Sequence, residues 1–182
     1  MATKFTGAEV EAAYRSAPDE TLGDLLTMKY KNLFICPESR LTVDKMEGYI
    51  RRAELKMGCR PLVVVIDYIQ LLTATGPNRR EKISDIAEGL KVMAKATNTI
   101  IVVTSQVSRP PTKDEDKEWE PSLHSAKESG SIENSCGLLL GAWRSSEDGG
   151  LLNIRVLKST KGGAGKHVKC NFDGSRMIIT ER

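Results

Sequence analysis

Residues 62–68 read LVVVIDY and residues 99–106 read TIIVVTSQ. Each is an unbroken apolar, β-branched run that ends in polar residues. A strand wet on one side alternates apolar and polar positions. An unbroken run instead suits a strand covered on both faces, as in a parallel sheet. Between the two, Ile83, Ile86, Ala87, Leu90, Met93 and Ala94 recur at steps of three and four, one apolar face of a helix over 81–97. Strand, helix, strand is the right-handed crossover unit of an α/β sheet.

The same grammar extends upstream. Thr42 is placed to cap a helix carrying Val43, Met46, Ile50, Ala53 and Met57, with Gly58 as its stop. Residues 32–36 (NLFIC) read as a strand closed by Pro37, and residues 20–29 as a short helix. Thr6 and Glu9 have capping-box spacing at the start of a first helix, which Pro18 ends. Downstream, residues 107–122 form a long charged loop, followed by a short helix over 127–134 and a strand over 138–143. Leu152, Ile154 and Val156, then Val168, Cys170 and Phe172, alternate with polar positions. They predict a terminal hairpin around the glycine-rich loop 159–165.

Composition bounds the class. A chain of 182 residues with 40% apolar and 28% charged residues suits one globular domain over 1–182. No apolar run approaches the roughly 20 residues that span a bilayer. Met1 to Val10 lack the apolar core of a secretion signal, so a cytoplasmic protein with no membrane partner is expected. Cys36, Cys59, Cys136 and Cys170 are widely spaced and only His124 and His167 accompany them, so no zinc site is expected. The expectation for the thiols is a reduced state, mostly buried. Net charge is +3, with residues 113–120 mostly acidic and the segment after Leu151 basic. A basic end suits phosphate contact, and equally a solvated hairpin surface.

Three short motifs carry chemistry. Asp67 ends the first buried strand, at the carboxyl edge where open α/β sheets bind ligands. A carboxylate there can orient water on Mg²⁺ beside phosphates, and an Asp capping a strand-to-loop turn leaves the same trace. Ser105-Gln106 ends the next strand. That amide can bond a phosphate or an attacking water, or satisfy loop backbone. As ends of successive strands, Asp67 and Gln106 are expected to face one crevice. Residues 127–133 (KESGSIE) combine a cation with small residues that let backbone N–H groups approach phosphate, and also read as an ordinary serine-capped helix start.

Taken in order, LVVVIDYIQLL (62–72), NRREKISDIAEGLKVMAKATNTIIVVTSQVSR (78–109) and AKESGSIENSCGLLLGAWR (126–144) resemble the core of the DnaB helicase family. That family's pattern runs IDYLQL, LKxLAK, SQLSR and LRESGSIEQDAD. The resemblance spans nearly the whole chain. It implies a RecA-like P-loop NTPase core, α/β, with a mostly parallel sheet, helices on both faces and a C-terminal β-hairpin. It also implies ATP and Mg²⁺ as cofactors, single-stranded DNA as partner, and a hexameric ring.

Residue by residue, the resemblance makes Asp67 the acidic residue that holds Mg²⁺ through water. It makes Gln106, beside Ser105, the sensor of the γ-phosphate. Lys127, Glu128 and Gly130 match the loop that tracks DNA, with Lys127 where arginine is usual; the charge stays but the two-pronged fork is lost. Lys158 matches a lysine that reaches the neighbouring subunit's nucleotide. The arginine finger expected two residues later is replaced by Thr160, and Lys161 is the nearest cation that stands in.

Residues 161–167 (KGGAGKH) imitate a phosphate-binding loop. His167 occupies the place of the hydroxyl such a loop needs, and the following residues alternate like a strand. The reading preferred is a hairpin tip, and the alternative is a ParA-type ATPase built on Lys166. No other stretch serves as the phosphate-binding loop, and the catalytic glutamate that follows it in the family is absent too. The chain is thus expected to lack the P-loop strand, to leave sheet edges unpaired, and to hydrolyse ATP negligibly alone. It then acts either with a complementing fragment that carries the loop, or as a non-catalytic module binding a helicase or single-stranded DNA.

Overall fold

A computed structural model describes residues 6–16, 30–107, 120–123, 125, 129–144 and 151–182. The first helix, α1 (Gly7–Ser16), opens with the reciprocal bonds its spacing predicts. Thr6 N donates to Glu9 Oε2 at 2.6 Å, and Glu9 N donates to Thr6 Oγ1 at 3.2 Å. The short helix expected over 20–29 lies outside the described residues.

Helix α2 (Val43–Met57) starts where Thr42 accepts from Lys45 N and stops at Gly58, whose φ of 70° is left-handed. Strand β1 (Val63–Ile66) follows, then a 3-10 turn (Ile69–Leu71). Helix α3 (Arg79–Thr97) is capped by Asn78, and strand β2 (Ile100–Val103) runs parallel to β1, with Val63 opposite Ile100 and Ile66 opposite Val103. Helix α4 (Ser129–Ser135) leads into β3 (Leu138–Arg144). Strands β4 (Leu152–Ser159), β5 (His167–Asp173) and β6 (Ile178–Glu181) complete an antiparallel sheet in the order β3-β4-β5-β6.

The core is where the periodicity puts it. Met46 and Ile50 of α2, Ile83, Ile86, Ala87, Leu90 and Met93 of α3, and Ile66 of β1 form one buried cluster with Leu41 and Ile69. Val64, Ile101 and Val103 pack against it from the sheet. Their alternates Val63, Val65, Ile100 and Val102 stand on the opposite face and are 46%, 67%, 57% and 46% exposed.

The α/β reading holds, with different proportions. Among the described residues the parallel part has two strands and the antiparallel part four. The core helices α2 and α3 pack on one face of the parallel pair, and among the described residues the other face is left exposed. The expected strand over 32–36 does not form. Residues 33–36 take no regular secondary structure and pair with no described strand, and Leu33 and Ile35 lie exposed. The hairpin is larger than expected. A turn after Asp173 adds β6, with Phe172 opposite Ile179. The thiols also differ from expectation, because only Cys170 is buried and Cys59 is exposed.

Candidate functional site

Asp67 and Gln106 leave the sheet at the same end, because β1 and β2 are parallel and in register through Ile66 and Val103. The ladder continues past both strands. Thr104 N donates to Ile66 O at 3.0 Å, and Ile69 N donates to Thr104 O at 3.0 Å. Thr104 also donates its hydroxyl to Asp67 Oδ1 at 2.5 Å. The carboxylate is therefore tied to β2, two residues before Gln106. The peptide bond between Asp67 and Tyr68 is cis.

A second bridge joins the two strand ends. Gln70, in the turn after β1, donates from Nε2 to Ser105 Oγ at 3.0 Å, and its Oε1 accepts from Gln106 N at 3.4 Å. Asp67 and Gln106 are exposed, whereas Gln70 and Ser105 are half-buried. The structure thus gathers Asp67, Ser105 and Gln106 on one edge. It adds Thr104 and Gln70, to which the sequence reading assigned no role. Both were visible as the polar residues that punctuate the apolar runs.

Of the remaining predicted residues, Gly130, Lys158 and Lys161 lie on other elements. Lys127 and Glu128 fall outside the described residues. Gly130 is exposed in the first turn of α4. Lys158, half-buried on β4, donates to the Glu133 carbonyl oxygen at the far end of α4. Thr160 donates to Gly137 O from its amide at 2.9 Å and from its hydroxyl at 3.3 Å. Lys161 is exposed in the hairpin turn, with its amide on Ser159 Oγ at 3.3 Å.

The imitation of a phosphate loop over 161–167 resolves into that turn. Gly162, Gly163 and Gly165 have φ near 90° (89°, 88° and 85°), backbone that L side chains rarely adopt. Strand β5, not a helix, begins at His167, so no helix N-terminus faces the turn. His167 stacks on Trp143 with ring centroids 5.2 Å apart, and its Nε2 lies 3.0 Å from Asn153 Oδ1.

Among the described residues no three acidic, histidine or cysteine side chains converge as a metal cage. Asp67 alone suits a cation held through water, the mode Mg²⁺ favours because it gives up its water shell reluctantly. No helix of the described residues is long and apolar enough to cross a membrane.

A parallel β-α-β unit with acid and amide at its carboxyl edge, followed along the chain by an antiparallel sheet, is the arrangement of a RecA-like fold. Two solved structures share the fold at 23% identity. One, an ATPase domain, matches 98% of this chain and 66% of its own with a TM-score of 0.79. The other, a DnaB-like replicative helicase solved with its interactions with primase, matches 97% of this chain and 46% of its own with a TM-score of 0.77. The family model described as the DnaB-like helicase C terminal domain matches residues 13–179, and the chain belongs to that family. Among curated relatives, the replicative DNA helicase DnaB of Pasteurella multocida is 32% identical over 177 residues, covering 93% of this chain and 37% of its own. That of Haemophilus influenzae is 33% identical over 151 residues, covering 79% and 31%. The chain therefore spans about a third of the length of these relatives.

Proposed function

We propose that the chain is the carboxyl-terminal part of an ATP-driven motor that unwinds DNA during replication. The observation that carries this reading is the shared strand edge. Asp67 and Gln106 end adjacent parallel strands and are cross-linked through Thr104, Gln70 and Ser105. In this reading Asp67 orients water on Mg²⁺, and Gln106 bonds the terminal phosphate of ATP. Gly130, with Lys127 and Glu128, meets the backbone of single-stranded DNA, and Lys158 and Lys161 serve a neighbouring subunit's nucleotide in a hexamer-type ring. Bound Mg²⁺ would supply charge neutralisation at the phosphates.

These residues fit a cation held through water, but among the described residues no cradle of backbone N–H groups for the phosphates stands beside them. The motor therefore requires a complementing segment that carries the phosphate-binding loop. The outer edge of β2 and the free edge of β3 pair with no described strand, and the exposed face of Val63, Val65, Ile100 and Val102 is apolar. An open parallel edge beside an uncovered apolar face is what an added strand and helix would cover.

A second reading, a non-catalytic module that docks on a helicase or on DNA, is favoured by one observation. Lys158 and Thr160, at the positions that act in trans in the family, are both bonded within this chain.

The deciding experiment mixes the chain with a fragment carrying the phosphate-binding loop and measures DNA-stimulated ATP hydrolysis. Turnover that appears only in the mixture and is lost with Asp67→Asn supports the motor. No turnover in the mixture, with DNA binding intact, selects the docking module. Robust hydrolysis by the chain alone would contradict the need for a complementing segment.

A further inference from the structure

The carboxyl end of α4 is held by groups from two other elements. Lys158 of β4 donates its ammonium to Glu133 O, and Lys91 of α3 reaches Asn134 O at 3.5 Å. Thr160, two residues along from Lys158, donates twice to Gly137 O, just past the helix. Lys158 lies near the end of β4 and Thr160 opens the turn that follows it. Each bonds the α4–β3 junction, and the pairing of Leu139 with Lys158 and Leu138 with Ser159 fixes the strand end from which both reach it.

The chemistry favours this grip. The last carbonyls of a helix lack amide partners within it and carry partial negative charge, so an ammonium is stabilising at that end. The site is partly desolvated. Burial pushes the Cys136 thiol above its ordinary range, while the Lys158 charge beside it pulls the other way. The Cys136 thiol shares the Glu133 carbonyl at 3.5 Å. In such a place a charged hydrogen bond is strong, and an unpaired carbonyl or ammonium is costly.

We propose that Lys158 and Thr160 form an intrachain latch that positions α4, and with it Gly130 at the helix's other end, against the terminal sheet. Lys158 is in this role a positioning residue. The DNA-related part of the inference rests on the proposed function; the latch itself does not. Its consequence is a link between β4 and the DNA-facing end of α4, in addition to the hold of α3, where Ile132 packs against the buried cluster and Lys91 reaches Asn134 O.

The test is amide hydrogen exchange on the full chain, read separately for residues 131–137 and for the α2–α3 core, with binding of a single-stranded oligothymidine measured alongside. Lys158→Met should speed exchange at 131–137 by about tenfold or more and leave the core unchanged. Lys158→Arg should restore protection, because it keeps a cation of similar reach. Thr160→Val should loosen the same segment through a different bond. Exchange at the wild-type rate in both Lys158→Met and Thr160→Val would overturn the latch. Protection that behaves as expected in a wild-type chain that binds no oligothymidine would overturn the proposed DNA function and leave the latch standing.

Discussion

Asp173 shows how one side chain builds a turn. Its Oδ1 accepts from Ser175 Oγ at 2.6 Å, Ser175 N at 3.0 Å and Arg176 N at 3.3 Å, closing the bend between β5 and β6. The Ser175 hydroxyl above all, with the amides of Arg176 and Ser175, holds its carboxyl below the ordinary value of 3.8, against an opposing effect of burial. A lowered folded pKa means stability that is present above about pH 4 and lost as pH falls through the lowered value. Asp173→Ala should therefore lower the urea midpoint near neutrality, with the difference from wild type shrinking steadily on acidification. A difference that stayed constant with pH would refute that account. Gly130 offers the opposite test. A Cβ there meets nothing within 4 Å, and alanine is the better helix former by about 1 kcal/mol. Gly130→Ala should leave stability equal or higher while weakening oligothymidine binding; unchanged binding would remove Gly130 from the DNA-facing loop.

At the scale of elements, two glycines separate packing from propensity. Gly141, in the middle of β3, faces a crowded layer in which an added Cβ would lie 2.9 Å from Pro121 Cγ and 3.0 Å from Leu157 Cδ1. Gly141→Ala should cost about 1–3 kcal/mol, as overpacking does. Gly48, inside α2, has no atom within 4 Å of its would-be Cβ. Gly48→Ala should stabilise by about 0.5–1 kcal/mol, because helix glycine loses more backbone entropy on folding. Chemical denaturation of the two variants checks both signs. Three helix ends could be read from single residues, Thr6, Thr42 and Gly58, since a cap is a local interaction. Asn78 also caps its helix locally, although the sequence reading started that helix two residues late. The failed strand over 32–36 marks the limit of such reading, because a strand exists only where another edge accepts its amides.

At the scale of the whole molecule, one open apolar face dominates. Val63, Val65, Ile100 and Val102 present a contiguous β-branched surface, with Leu62 beside it at 71% exposure. Surfaces of this kind mark interaction sites or association. The isolated chain should self-associate in sedimentation velocity, and Val65→Lys combined with Val102→Lys should shift it toward monomer, since neither side chain belongs to the buried cluster. A wild-type chain that stays monomeric as its concentration rises would show that this face is covered from within the chain. The same face bears on how the parallel part of the sheet reads from sequence. An unbroken apolar run is the signature of a strand meant to be covered twice, and β1 and β2 carry it although the described helices cover them once.

The sequence by itself determined the β-α-β unit, three of the helix caps, the core residues of α2 and α3, and the family, because periodicity, capping and motif order are local properties. It also singled out Asp67, Ser105 and Gln106, since residues that end adjacent parallel strands must share an edge. Tertiary structure alone decided that Thr104 and Gln70 tie that edge together, that Lys158 and Thr160 turn onto α4, and that one sheet face lies bare. Those outcomes depend on which distant elements meet, and no spacing along the chain encodes the distance between β4 and the end of α4.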